Sequence, residues 1–179
     1  AVSVTTTLNG YYGSKTVVTG AGFLLNNEMD DFSIKPGVPN LFGVTGQAAN
    51  AIVPGKRMLS SMTPTIVLKN NKPVIITGSP GGSTIPTSVF QTIVNLIDFS
   101  LSPEDAVNMP KFHHQWTPDQ VDVEKNFPDT PLRKMADMGY RFRQLPGIGR
   151  VELIFLDYPK GRRIHAVADK RGDDCASGY

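Results

Sequence analysis

Gly78-Ser79-Pro80-Gly81-Gly82-Ser83 is the most unusual local sequence in this 179-residue chain. It follows the β-branched run Val74-Ile75-Ile76-Thr77 and precedes apolar residues at helical spacing. A strand that passes through adjacent glycines into a helix start can aim successive backbone N–H groups at one point, and the helix N-terminus adds partial positive charge there. Such a nest suits an anion or the oxyanion of an acyl-transfer intermediate. The same residues also suit a plain strand-to-helix turn with serine caps. A phosphate loop is disfavoured because no Gly-Lys-Ser/Thr ending is present, and the Gly-x-Ser-x-Gly elbow is absent.

Asn26-Asn27-Glu28-Met29-Asp30-Asp31 places three carboxylates within four positions. They repel one another unless water or a cation lies between them, so the segment reads as a solvated loop or as a site for an ammonium group or metal ion. The alternating spacing of a calcium loop is missing. In Lys56-Arg57-Met58-Leu59-Ser60-Ser61-Met62-Thr63-Pro64, adjacent hydroxyls before a strand could bind a ligand carboxylate or satisfy a turn. His113-His114-Gln115-Trp116 lacks a third ligand at zinc spacing, and it reads as structural histidines beside a buried tryptophan. Cys175, the single cysteine, forbids an intrachain disulfide and has no paired base in a local signature.

The elements that must position these groups follow from periodicity. Residues 1–9 alternate and read as a strand ending at Asn9-Gly10, which suggests a chain that begins inside a strand, as a truncated product would. Residues 10–22 are a glycine-rich loop. From Asn26 to Met58 no period is sustained, and a loop that long is a candidate lid or binding loop. Strands are expected at 65–69 and 74–77 around the hairpin turn Asn70-Asn71-Lys72. A helix follows with Val89, Ile93, Leu96 and Ile97 on one face. Ser102-Pro103-Glu104-Asp105 opens a short helix, and Thr130-Pro131 starts a third that stops at Gly139. Further strands are expected at 121–124, 140–144, 151–156 and 164–168. This order favours an α+β fold, one domain over 1–179, with helices on a largely antiparallel sheet.

Composition agrees with a globular domain: 40% hydrophobic, 19% charged and a net charge of +2. The basic residues are scattered apart from Lys160, Arg162 and Arg163, which read as a solvated turn, so no nucleic-acid partner is expected. No apolar run approaches bilayer length.

Taken in order, Val4-Thr5-Thr6-Thr7-Leu8-Asn9, Asn26 to Phe32, Lys35 to Asn40, Pro54 to Arg57, Leu59 to Thr65 and Gly78 to Ser83 closely resemble the small subunit of γ-glutamyltransferases. Phe112 to Trp116 and Asp169 to Tyr179 are similar to the later part of the same subunit. The resemblance spans almost the whole chain and is weakest from Phe127 to Lys170. It implies the small-subunit half of an N-terminal-nucleophile αββα sandwich. It also implies a precursor that cleaves itself, with a threonine nucleophile just upstream of Ala1.

The resemblance further implies specific roles. Gly81 and Gly82 would supply oxyanion N–H groups, and Thr7 would orient the nucleophile. Asn9, Glu28 and Asp31 would hold the α-ammonium of a γ-glutamyl substrate. Ser60 and Ser61 would hold its carboxylate, with an arginine from the large subunit of the same precursor. Residues 32–47 would be the lid, where Phe42 replaces a tyrosine of several bacterial relatives, so a latch hydrogen bond through that side chain cannot form. The implied substrates are glutathione and related γ-glutamyl compounds, with water, amino acids or peptides as acceptors. No cofactor and no metal is implied. A periplasmic or extracellular location follows from family habit, and the isolated chain is expected to be inactive and to self-associate. A related cephalosporin acylase, a poly-γ-glutamate-processing enzyme or a noncatalytic binding module are the alternatives.

Overall fold

The computed structural model describes residues 1–159, 161 and 163–178, so Lys160 and Arg162 of the basic cluster, and Tyr179, lie outside the described residues. The chain divides into two compact units, one formed by residues 1–5 and 62–179 and the other by residues 6–61.

The first unit is α+β. Strands β1 (Thr65–Lys69) and β2 (Lys72–Gly78) form a hairpin. Asn70 and Asn71 turn it with φ of 52° and 58°, the left-handed pair that a two-residue hairpin requires. Helix α1 (Ile85–Ile97) and helix α2 (Pro103–Asn108) follow. Helix α2 starts as its sequence predicts: Ser102 Oγ accepts the Asp105 N–H at 3.0 Å and Pro103 occupies the first turn. Next come β3 (Phe112–His113), β4 (Val121–Glu124), α3 (Asp129–Asp137) and β5 (Phe142–Leu145). Strands β6 (Glu152–Asp157) and β7 (Arg163–Val167) complete the unit.

The larger sheet is antiparallel throughout, in the order β1-β2-β6-β7. One face carries Ile75, Leu153 and Val167, which pack with Val107, Val151, Ile93 and Leu96 into the core under the helices. Val89 is also buried, whereas Ile97, the last residue of α1, is exposed, so the predicted apolar face ends one residue early. The opposite face carries the register row Ile66-Ile76-Ile154-Ala166, and Ile66, Ile154 and Ile164 are exposed. The smaller sheet, β3-β4-β5, contains the one parallel pair among the described strands: β4 and β5, joined through α3.

The expected strand over residues 1–9 does not form. The first eight residues have no ladder partner among the described residues, and alternation alone cannot supply one. Ser3 instead donates its hydroxyl to the Thr77 carbonyl at 2.7 Å. A Cβ on Gly78 would lie 3.4 Å from Thr5 Oγ1 and 3.5 Å from Ser3 Oγ, so this segment lies against the end of β2.

A buried ionic cluster ties the last part of the chain to this unit. Arg171 Nε donates to Glu124 Oε1 at 2.6 Å, and Nη1 to Asp169 Oδ1 at 2.9 Å. Glu124 also accepts the Lys111 and Ile148 N–H groups at 3.0 and 2.7 Å, and Asp169 accepts that of Val151 at 2.7 Å. Lys111, 1% exposed, donates to the Val107 carbonyl. Burial, with Arg171 nearby, pulls the Lys111 ammonium down to about 8, against the opposing pull of Asp169 and Glu124.

The second unit is held by turns. Single bridges join Val17 to Leu24, Ser33 to Ala51 and Pro39 to Thr45, and short 3-10 turns span Glu28–Asp31 and Ala48–Asn50. Helical or strand periodicity is absent here because there is no long element to produce it.

Candidate functional site

The second unit gathers the residues predicted to hold an amino-acid end. The Asn9 N–H donates to Thr7 Oγ1 at 2.7 Å, and Asn9 adopts φ of 72°, a left-handed conformation that asparagine tolerates. Asn27 fastens this turn: its carbonyl accepts Asn9 Nδ2 at 3.1 Å, its Oδ1 accepts the Gly10 N–H at 2.8 Å, and its N–H donates to the Leu8 carbonyl at 3.1 Å. Thr7 and Asn9 are thereby docked beside the residue that precedes Glu28.

Glu28 and Asp31 share one 3-10 turn. Burial and the neighbouring Asp31 carboxyl together push the Glu28 carboxyl up to about 7. Glu28 Oε1 is buried and has no hydrogen-bond partner among the described residues. Two carboxylates this close, one with an orphaned buried oxygen, match a cation that donates hydrogen bonds.

Asn50 connects this turn to the serine pair. Its Nδ2 donates to the Asp31 carbonyl at 2.7 Å and its Oδ1 accepts the Leu59 N–H at 3.0 Å, immediately before Ser60 and Ser61. Lys56 Nζ braces the same stretch through the Ala49 and Ala51 carbonyls at 2.6 and 3.1 Å. In the candidate lid, Asn40 Oδ1 accepts the N–H groups of Phe42 and Val44, each at 3.0 Å, and Phe42 is half-buried.

Gly81 and Gly82 belong to the first unit, so they form a second group by themselves. Their φ values are 138° and 57°, both in the region that favours glycine. A Cβ on Gly81 would also lie 2.5 Å from Thr84 Oγ1. The Gly81 carbonyl accepts the Thr84 N–H at 3.1 Å and the Thr84 hydroxyl at 2.9 Å. No acceptor among the described residues takes the Gly81 or Gly82 N–H, which leaves two adjacent donors at the entrance of α1. Ser79 buttresses the turn from beneath, accepting the Arg150 N–H at 2.9 Å and donating to the Pro80 carbonyl at 2.7 Å.

The gamma-glutamyltranspeptidase family model matches residues 1–179. The chain belongs to the gamma-glutamyltranspeptidase family. It is 47% identical over 179 residues to the glutathione hydrolase proenzyme of Escherichia coli, covering 100% of this chain and 31% of that protein. It is 52% identical to the glutathione hydrolase proenzyme of a Pseudomonas species, covering 100% of this chain and 33% of that protein. The chain therefore spans about a third of the length of these relatives. A crystal structure of Helicobacter pylori gamma-glutamyltranspeptidase matches it with a TM-score of 0.91 at 51% identity, covering 96% of this chain and 93% of that chain.

Within this family member, two connecting residues escaped sequence reasoning. Asn27 and Asn50 look like ordinary turn formers, and their structural role depends on residues 17 to 19 positions away. The histidine motif also needs correction. His113 is 4% exposed and hydrogen-bonded, but Trp116 is 76% exposed rather than buried. Trp116 has φ of 70° in a turn where its own N–H donates to His114 Nδ1 at 3.2 Å, and that backbone directs the indole away from the core.

Proposed function

We propose that this chain supplies the donor-binding and oxyanion-stabilising parts of an enzyme that hydrolyses and transfers γ-glutamyl groups. The attacking hydroxyl comes from an N-terminal threonine outside residues 1–179, released when a precursor cleaves itself, and Thr7 orients it. The nucleophile adds to the γ-carbonyl, and the developing oxyanion accepts the Gly81 and Gly82 N–H groups. Collapse expels the amine, leaving a γ-glutamyl ester that water or an amino-acid or peptide amine resolves. Asn9, Glu28 and Asp31 bind the substrate ammonium. Ser60 and Ser61 bind its carboxylate together with an arginine of the large subunit.

The observation that supports this reading is the Glu28–Asp31 pair, because two neighbouring carboxyls in one turn, with Glu28 pushed up to about 7 by burial and by Asp31, suit a ligand that brings a hydrogen-bonding cation. The large subunit is the expected partner. It would complete an αββα sandwich by laying a second sheet over the open face of Ile66, Ile154 and Ile164, and an exported location fits the family.

The test measures kcat/KM of the full-length natural protein for glutathione and for a glutaryl-cephalosporin. Glutathione should be preferred, with transfer to an added amino acid. Preference for the glutaryl compound would overturn the reading in favour of an acylase.

A further inference from the structure

Helix α1 begins without the usual cap. Thr84 at its N-cap makes no side-chain hydrogen bond into the helix, because its hydroxyl is turned back onto the Gly81 carbonyl at 2.9 Å. The first turn is held from outside instead, by β3. Thr87 Oγ1 lies 3.0 Å from the Thr84 carbonyl and 2.8 Å from His113 Nδ1. His113 is itself fixed, since Nε2 lies 3.0 Å from Gln115 Oε1 and the Gln115 amide donates to the Thr117 carbonyl at 3.2 Å. One helical turn on, Gln91 donates to the Phe112 carbonyl at 2.8 Å and accepts the Phe112 N–H at 3.1 Å, as a neighbouring strand would. These bonds run from a buried imidazole through one hydroxyl to the turn that follows the glycine pair.

We propose that His113 is a positioning residue that acts through Thr87 to hold the start of α1, and with it the Gly81 and Gly82 N–H groups, in register with the reacting carbonyl. The inference rests on the reading that these amides stabilise the oxyanion. His113 touches no substrate in this scheme. Its contribution is to the transition state, because the geometry of the paired donors matters most once charge has developed on oxygen. The ammonium and carboxylate ligands belong to another part of the chain, so loss of the clasp should leave KM nearly unchanged.

The experiment uses the full-length natural protein and a chromogenic γ-glutamyl anilide. Thr87→Val and His113→Leu should each lower kcat about 10-fold while KM stays within about 2-fold, since small misplacement of a catalytic donor carries costs of this order. Thr87→Ser, which keeps the hydroxyl, and His113→Asn, which keeps a polar atom near Nδ1, should remain within about 3-fold of the parent. The Thr87→Val/His113→Leu double variant should be no slower than the worse single one, as for groups acting in series. If His113→Leu does not accumulate as folded protein, the Thr87→Val and Thr87→Ser pair decides alone. A parental kcat in Thr87→Val, a change confined to KM, or equal damage in Thr87→Ser and Thr87→Val would overturn the proposal.

A γ-boronate analogue of glutamate separates this result from failure of the underlying reading. When the nucleophile's hydroxyl loses its proton to a base and its oxygen adds to the trigonal boron, the tetrahedral adduct carries an oxygen where the oxyanion would lie, so the analogue should bind the parent protein far more tightly than glutamate. Equal binding of the two would sink the oxyanion assignment and the proposal with it. Tight binding alongside a parental kcat in Thr87→Val would sink the positioning role alone.

Discussion

Lowering the pH from about 7 to about 5 should weaken binding of an amino-acid ligand through Glu28. Its carboxyl sits at about 7 when no cation is present, because burial and Asp31 disfavour the charged form. An α-ammonium binds the ionised carboxylate, so any proton already on Glu28 must leave first. The protonated fraction rises from about one half at pH 7 to nearly all at pH 5, which should weaken glutamate binding by about 10-fold or more. Isothermal titration of the full-length natural protein with glutamate, in buffers of different ionisation enthalpy, reads both the affinity and the proton released. About half a proton should leave at pH 7 and nearly one at pH 5. Glu28→Gln should bind more weakly at pH 7 and lose most of this pH dependence. An affinity that is flat between pH 5 and 7, or no proton release, would refute a role for Glu28 as an ammonium ligand.

Gly81→Ala should lower kcat about 100-fold with little change in glutamate affinity, because the new Cβ would meet Thr84 Oγ1 at 2.5 Å and shift one oxyanion donor; steady-state kinetics beside titration checks this. Arg171→Met should cost about 3–5 kcal/mol in chemical denaturation, since it strips the cation from buried Glu124 and Asp169. Lys111→Met should change stability by less than about 1 kcal/mol, because Asp169 keeps Arg171. With its folded value lowered to about 8 from 10.5, Lys111 penalises the fold at neutral pH, so the parent should gain stability as pH rises through that interval and the Met variant should not. Ile154→Lys on the open sheet face should reduce self-association of the isolated chain in light scattering, because Ile154 is exposed there between Ile76 and Ala166.

What the sequence made legible was local. The Asn70-Asn71 hairpin, the Ser102-Pro103 helix start and the stop at Gly139 each depend on a few neighbouring residues with restricted backbone choices, and each forms where expected. Residues 1–9 show the limit of that reasoning, because a strand requires a partner that alternation cannot name. The two-residue strand β3 is too short to leave a period, although its His113 and Phe112 clasp α1. The cluster of Lys111, Glu124, Asp169 and Arg171 is invisible in sequence because its members meet only through the fold, with Glu124 and Arg171 47 positions apart. At the candidate site the pattern was clearest where chemistry and local turn coincide, as at Glu28–Asp31 and Gly81-Gly82. It was least clear at Asn27 and Asn50, whose side chains serve distant backbone groups.

The central claim is that the donor site selects an amino-acid end rather than a simple acyl chain. The most direct measurement compares kcat/KM of the full-length natural protein for γ-glutamyl and glutaryl 4-nitroanilides, which differ only by the α-amino group. The γ-glutamyl compound should be favoured by about 10⁴-fold if Asn9, Glu28 and Asp31 bind the ammonium as proposed, because the glutaryl compound would leave them without a donor. Equal or faster turnover of the glutaryl anilide would contradict the account.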